Sequence, residues 1–144
     1  MKYTNEIVLA LPLNKVIELF DNPENMREWQ PGLISFEHLS GSPGEEGAKS
    51  KLKYKMGKRE VEMVETIVKR DLPGEFTGTY EAKGVFNLVK NSFIRMGPQE
   101  TKWISENEFR FSGFMIFFAW FMPGAFRKQS RKLMEQFKNF AENR

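Results

Sequence analysis

Glu65 is the one carboxylate of this chain whose neighbours prepare it for proton chemistry. It lies in the run Arg59 to Arg70, where Val61, Met63 and Ile67 take the alternate positions that share its side of a strand. An acid so placed must be paired or keep its proton to higher pH, and a neutral carboxyl can act as a general acid. Other useful groups recur at strand spacing. Tyr54 and Tyr80 carry hydroxyls at the ends of apolar bodies. Trp103, Ser105, Asn107 and Phe109 alternate with Lys102, Glu106, Glu108 and Arg110, so one side of that strand sets indole, hydroxyl and amide groups among aromatic rings. Two readings stay open. Glu65 is either a functional polar group in an interior space or an acid satisfied by Ser50 or another inward hydroxyl or amide; the tyrosines either address a ligand or only pack.

Much chemistry is excluded. Cysteine is absent, which removes disulfides and thiolate catalysis, and His38 is the only histidine. A lone His without Cys or His neighbours does not make an ordinary transition-metal site. There is no Gly-x-Ser-x-Gly elbow, His-Glu-x-x-His helix, phosphate loop or dinucleotide fingerprint, and the loop Gly41 to Gly47 carries two acids, Glu45 and Glu46, that repel phosphate. No cofactor or metal is therefore expected. An enzyme built here would work with Glu65, a Tyr, an Asn or His38 as general acid or base.

The elements that position these residues begin with a hairpin. Lys49, Lys51, Lys53 and Lys55 alternate with Ala48, Ser50, Leu52, Tyr54 and Met56, giving one wet and one covered face. A two-residue turn at Gly57-Lys58 pairs Met56 with Arg59. Lys55 then opposes Glu60 and Lys53 opposes Glu62 on the outside, while Tyr54–Val61, Leu52–Met63, Ser50–Glu65 and Ala48–Ile67 pair inside. Charge and hydrophobicity agree on this register. Phe76 to Ala82 is a further strand after the turn Asp71 to Gly74. Val85 to Met96 and Thr101 to Phe111 form the last hairpin, in which a three-residue loop at Gly97 to Gln99 pairs Lys90 with Glu106 and Phe93 with Trp103, and a two-residue loop shifts both.

Toward the N-terminus, Ile7 to Leu11 reads as a strand ending at Pro12. Asn14 caps a short helix through Asp21, Glu24 to Trp29 makes a second, and Leu33 to Leu39 a second strand. At the other end Phe126, Ser130, Leu133, Met134, Phe137, Phe140 and Ala141 form one stripe of a helix ending near Asn143, with Arg127, Lys128, Arg131, Lys132 and Lys138 on what reads as a solvated face. Ahead of it, Phe114 to Phe126 is greasy on all sides, yet Pro123-Gly124 interrupts it and it is far shorter than the roughly 20 residues of a bilayer span. That run is core, pocket wall, a homodimer patch or a transient membrane contact. With 144 residues and a net charge of +3, the chain is one domain, 1–144, without the concentrated basic face of a nucleic-acid binder. No export signal is visible at the N-terminus, so the expectation is a soluble cytoplasmic protein.

The order strand, two short helices, six strands, long C-terminal helix is that of the α+β helix-grip fold. Pro12 after the first strand, Asp21 followed by Trp29 and Pro31, Gly41-x-Pro43-Gly44-x-x-Gly47, Glu65-Thr66-Ile67 and the closing helix Glu135 to Glu142 resemble the superfamily of START domains, polyketide cyclases and pollen-allergen-like proteins (SRPBCC). The resemblance implies a curved antiparallel sheet of about seven strands around the C-terminal helix, with a cavity between them for lipids, sterols, polyketides or similar molecules. Tyr54, Met63, Glu65 and Tyr80 would line one wall of it. Phe93, Trp103, Ser105, Asn107 and Phe109 would line another, and Phe118 and Met122 the mouth. The implied function is binding or transport of a small hydrophobic ligand. A cyclase- or dehydratase-like enzyme in the same cavity and a chaperone-cofactor-like interaction module are the alternatives.

Overall fold

The computed structural model describes all residues, 1–144. Seven strands form one curved antiparallel sheet in the order β1-β7-β6-β5-β4-β3-β2. They are β1 (Lys2–Leu9), β2 (Leu33–Ser40), β3 (Lys49–Met56), β4 (Arg59–Asp71), β5 (Glu75–Ala82), β6 (Val85–Gly97) and β7 (Glu100–Phe111). The helices are α1 (Leu13–Phe20), α2 (Met26–Trp29), α3 (Met115–Phe121) and α4 (Pro123–Glu142), with a 3-10 turn at Pro23–Asn25 before α2.

Both hairpin registers follow the patterns in the sequence. Met56 pairs with Arg59, Leu52 with Met63 and Ser50 with Glu65, and Lys90 pairs with Glu106 and Phe93 with Trp103. Gly57 makes the first turn possible at φ +66°, a conformation that glycine adopts without steric cost. The outer charges depart from the expected pairs: Lys53 reaches diagonally to Glu60 at 3.3 Å rather than to Glu62 opposite. Its long side chain crosses one register step easily. Lys49 and Lys55 are exposed as expected, whereas Lys51 and Lys53 are half-covered.

Two N-terminal boundaries differ from the expectation. β1 starts at Lys2 and ends at Leu9, because alternation of Tyr3, Asn5, Ile7 and Leu9 toward the interior extends the strand beyond its obviously apolar part. Asn14 is inside α1, not its cap. Pro12, extended at φ −61° and ψ 148°, closes the first turn through its carbonyl, which accepts from the amides of Lys15 and Val16 at 3.1 Å.

α4 packs Met134, Phe137 and Ala141 into the core. Its basic face is not merely solvated, because it runs beside β1, whose outer edge is unpaired. Arg127 donates to the Thr4 carbonyl (3.3 Å), Arg131 to Glu6 (2.6 Å) and Lys138 to Val8 (2.7 Å), while Glu142 accepts from the Ala10 amide (2.7 Å). These side chains satisfy backbone groups that would otherwise template another strand. Burial raises the Glu142 pKa, but the Ala10 and Lys138 hydrogen bonds outweigh it and leave the group below its ordinary value.

The core sits where α1, α2 and the C-terminal half of α4 meet β1, β6 and β7. Leu9, Val16, Trp29, Phe93, Trp103 and Phe137 are buried there. Phe20 makes edge contacts with Phe93 and Trp103, and Phe137 meets Trp29 edge-on at 5.1 Å between ring centroids. Asp21, at the end of α1, takes both guanidinium nitrogens of Arg70, which ties this helix to β4.

Candidate functional site

The inner face of the sheet changes character from β7 toward β3. Backbone pairing puts Phe109, Asn87, Tyr80, Glu65 and Ser50 in one row across five strands. Paired residues share a face, so an aromatic ring, an amide, a phenol, a carboxyl and a hydroxyl follow one another along the interior. The Ser50–Glu65 pairing fixes by register what the sequence alone placed on the covered side. Asn87 was missing from the expected set; its signal, alternation with the apolar Val85 and Val89, was legible.

Glu65 and Tyr80 are the chemical centre of that row. Burial raises the Glu65 pKa above its ordinary 4.5, and the Tyr80 hydroxyl pulls it part of the way back. Tyr80 is itself pushed well above the usual phenol range, first by burial and then by the Glu65 charge. Tyr54 is raised by burial and by the same charge. Each side chain nonetheless retains accessible surface. Groups that are partly accessible, yet desolvated enough for their pKa to rise, lie between open surface and solid core. A phenol beside a carboxyl can hold a carbonyl, hydroxyl or ether oxygen of a bound molecule, and a carboxyl whose pKa is raised by burial can exchange a proton with it.

The remaining expected residues divide. Met63 is half-buried opposite Leu52, on the same face as Glu65. The Tyr54 hydroxyl is already engaged, donating to Gln30 Oε1 at 2.6 Å, so it ties β3 to the end of α2 instead of facing α4. Ser105 and Asn107 are buried and bonded to each other at 3.1 Å, and Asn87 reaches Asn107 at 3.4 Å, joining this pair to the row. Phe93 and Trp103 do not line open space: they stack on each other at 5.6 Å inside the closed aromatic core. Trp103 Nε1 donates to Asn91 Oδ1 at 2.9 Å, so its one polar atom is spent on the protein.

A second aromatic group closes the other end. Phe109 stacks on Phe111 and Tyr3, and Phe126 at the start of α4 packs against Phe109, Phe111 and Phe118. Tyr3 bonds the Phe126 carbonyl at 3.0 Å and also Ser130. Phe118 and Met122 remain 40% and 49% exposed on the outer side of this cluster. The Phe114 to Met122 run is thus neither core nor a sealed wall, because its helix is held at one side only. His38 is exposed, with Nε2 2.7 Å from the Gly41 carbonyl, in a loop contact away from the row.

Two open grooves lie elsewhere. One of about 620 Å³ runs between α2 and the end of α4, lined by Glu28, Trp29, Gln136, Asn139, Phe140 and Arg144 among others. Another of about 300 Å³ borders the β5–β6 turn near Gly84, Phe86 and Arg110. Neither includes a residue of the Glu65 row.

The fold is shared with many solved structures. Over 100% of this chain and 99% of the other it is similar to the crystal structure of Ara h 8.0201, with a TM-score of 0.79 at 13% identity. The Zhui aromatase/cyclase from Streptomyces sp. R1128 aligns over 100% of this chain and 94% of its own with a TM-score of 0.80 at 11% identity. Norcoclaurine synthase from Thalictrum flavum, solved in complex with dopamine and hydroxybenzaldehyde, aligns over 97% and 85% with a TM-score of 0.74 at 12% identity. At such identities the likeness is one of fold. No curated protein sequence matches the chain. The model of one sequence family, described as polyketide cyclase / dehydrase and lipid transport, matches residues 1–142, and the chain belongs to that family.

Proposed function

We propose that this protein binds and carries a small, largely apolar molecule with an oxygen-bearing end, held between the inner face of the sheet and α4. The observation that carries this reading is the Glu65–Tyr80 pair, a carboxyl and a phenol opposite each other on the inner face in the row with Asn87 and Phe109, both raised in pKa by burial, which we read as a recess between the sheet and α4. The driving force is burial: removing about 300 Å² of apolar ligand surface from water gains on the order of 7 kcal/mol before ordering costs. Glu65, Tyr80 and Asn87 orient the polar end. Family membership supports the class of ligand.

The same pair favours one second reading, an enzyme of the cyclase or dehydratase type in which Glu65 serves as general acid or base and Tyr80 tunes it. Native mass spectrometry of protein purified from its own host tests for a retained small molecule. Displacement of an environment-sensitive apolar dye then measures binding to the wild type and to Glu65→Gln. A carrier retains a molecule and loses affinity by roughly 2- to 12-fold in the variant, the worth of one hydrogen bond. An enzyme loses turnover by roughly two to four orders of magnitude with binding kept. A protein that retains nothing, and whose dye binding is indifferent to Glu65, has no ligand site here.

A further inference from the structure

We infer that α3 is a membrane-docking element, which seats the α3–α4 end of the molecule on an anionic lipid surface. The inference holds whether or not the interior carries a ligand. Helix α3 has no buried residue. Phe114, Trp120 and Phe121 are 85%, 83% and 82% exposed and Phe117 is 61% exposed, a concentration of bare aromatic surface found nowhere else in the chain.

The helix is held in place without being covered. Met115 packs on Gly84, where a Cβ would stand 2.8 Å from Met115 Cγ, and Phe118 meets Phe126 edge-on at 5.7 Å. At roughly 100° per residue, the half-buried Met115 and Ala119 share an arc of about 40°, and the exposed Ile116, Trp120, Phe117 and Phe121 spread over about 140° on the far side of the helix. The boundary between headgroups and acyl chains wets it on all open sides, and Trp and Phe are residues suited to that depth. With 7 residues the helix cannot span a bilayer, and no helix of the protein is long and apolar enough to do so. It can lie in the interface.

The surrounding charge selects the surface. Between Phe111 and Met134 the sequence contains no acid. Of the cations in that stretch, Arg127 and Arg131 are occupied at the edge of β1. Lys128 and Lys132 are exposed and hold no protein partner, as is Lys83 beside the glycine on which α3 rests. An exposed acid, Glu81, borders the same turn as Lys83. Free cations flanking a bare apolar helix are what an anionic leaflet attracts, each adding roughly fivefold to affinity.

Trp120 reports on the contact directly, since Trp29 and Trp103 are 5% and 3% exposed. With vesicles of phosphatidylcholine mixed with phosphatidylglycerol, tryptophan emission should shift to the blue, brominated lipid should quench it, and the protein should float with the vesicles. Phe117→Ser with Phe121→Ser, both at exposed positions, should keep the melting profile and lose vesicle affinity by at least about tenfold. Lys128→Gln with Lys132→Gln should lose roughly tenfold or more on anionic vesicles and little on pure phosphatidylcholine. Absence of quenching and flotation on anionic vesicles overturns the inference. A lipid-free dimer that the Phe117/Phe121 substitutions dissolve overturns it too, because a second copy then covers the helix.

Discussion

The two ends of the interior are built from the same sheet and the same helix, yet they solve opposite problems. Around Phe137 rings from α1, α2, α4, β6 and β7 meet edge to face, the Trp103 indole N–H is paired with Asn91, and the Trp29 indole N–H is buried without a partner. Around Glu65 a carboxyl, a phenol and an amide share the face with Met63, and each keeps partial exposure. The first arrangement is what stability needs. The second costs stability, since it leaves desolvated polar groups without full partners, and proteins keep such arrangements where something else is to be bound. Direct contact between α4 and the sheet is concentrated on the β1 side, away from β4 and β5, which carry Glu65 and Tyr80.

The sharpest way to break this contrast is to truncate one ring at each end. Phe137 is fully buried, and Phe137→Ala should cost about 3–5 kcal/mol in urea denaturation, because the surrounding rings cannot collapse into the space. Phe118→Ala, at a ring 40% exposed, should cost less than about 1 kcal/mol. Equal losses would mean that α3 and its contacts are as much core as the aromatic cluster.

A smaller pair of effects comes from two asparagines on the same strand. Asn91 accepts the Trp103 indole hydrogen inside the closed cluster, and Asn91→Ala should cost about 1–3 kcal/mol by orphaning that N–H. Asn87 donates to the Glu108 carbonyl and to Asn107 beside the recess, where water can replace it, and Asn87→Ala should cost under about 1 kcal/mol. If both cost the same, the recess is as dry as the core.

Much of this contrast was legible in the chain. The lysine alternation from Lys49 to Lys55 and the acids from Glu60 fixed a hairpin register, and that register put Glu65 opposite Ser50. Charge also chose the register of the last hairpin, since Lys90 meets Glu106, but the loop is Pro98-Gln99 and not Gly97 to Gln99, because Gly97 pairs with Glu100 and a bulge at Met96 absorbs the extra residue. What alternation does not reveal is depth. Phe93 and Trp103 face inward just as Asn107 and Tyr80 do, and only the approach of α1, α2 and α4 from distant parts of the chain decides which inward residues are sealed. The same holds for Tyr54, whose hydroxyl is taken by Gln30 from another element. The basic face of α4 looked like solvent-facing charge because nothing local shows that Arg131 and Lys138 lie beside an unpaired strand edge. For Phe114 to Met122 the composition was plain but the covering partner was not, because a chain sequence does not contain the surface it meets.

The smallest expected effect has the opposite sign and is the most telling. Burial raises the folded-state pKa of Glu65 above its ordinary 4.5, with Tyr80 opposing. As pH rises, the unfolded chain therefore releases this proton first. Below the unfolded value both states are protonated, and the group favours neither. Between the unfolded and folded values the folded state binds more protons, so stability falls with pH, and above the folded value the loss levels off. Glu65→Gln removes the titration while keeping nearly the same shape. The variant should match the wild type in acid, where both carry a neutral side chain, and be slightly more stable near neutral pH, in contrast to the losses expected at Phe137 and Asn91. Melting temperatures of the two proteins measured from acid to neutral pH read this directly. A variant that is less stable than the wild type at neutral pH would show that the carboxylate is held ionised by partners, which would make the Glu65 end a structural ion site like the Asp21–Arg70 pair and not a recess waiting for a ligand.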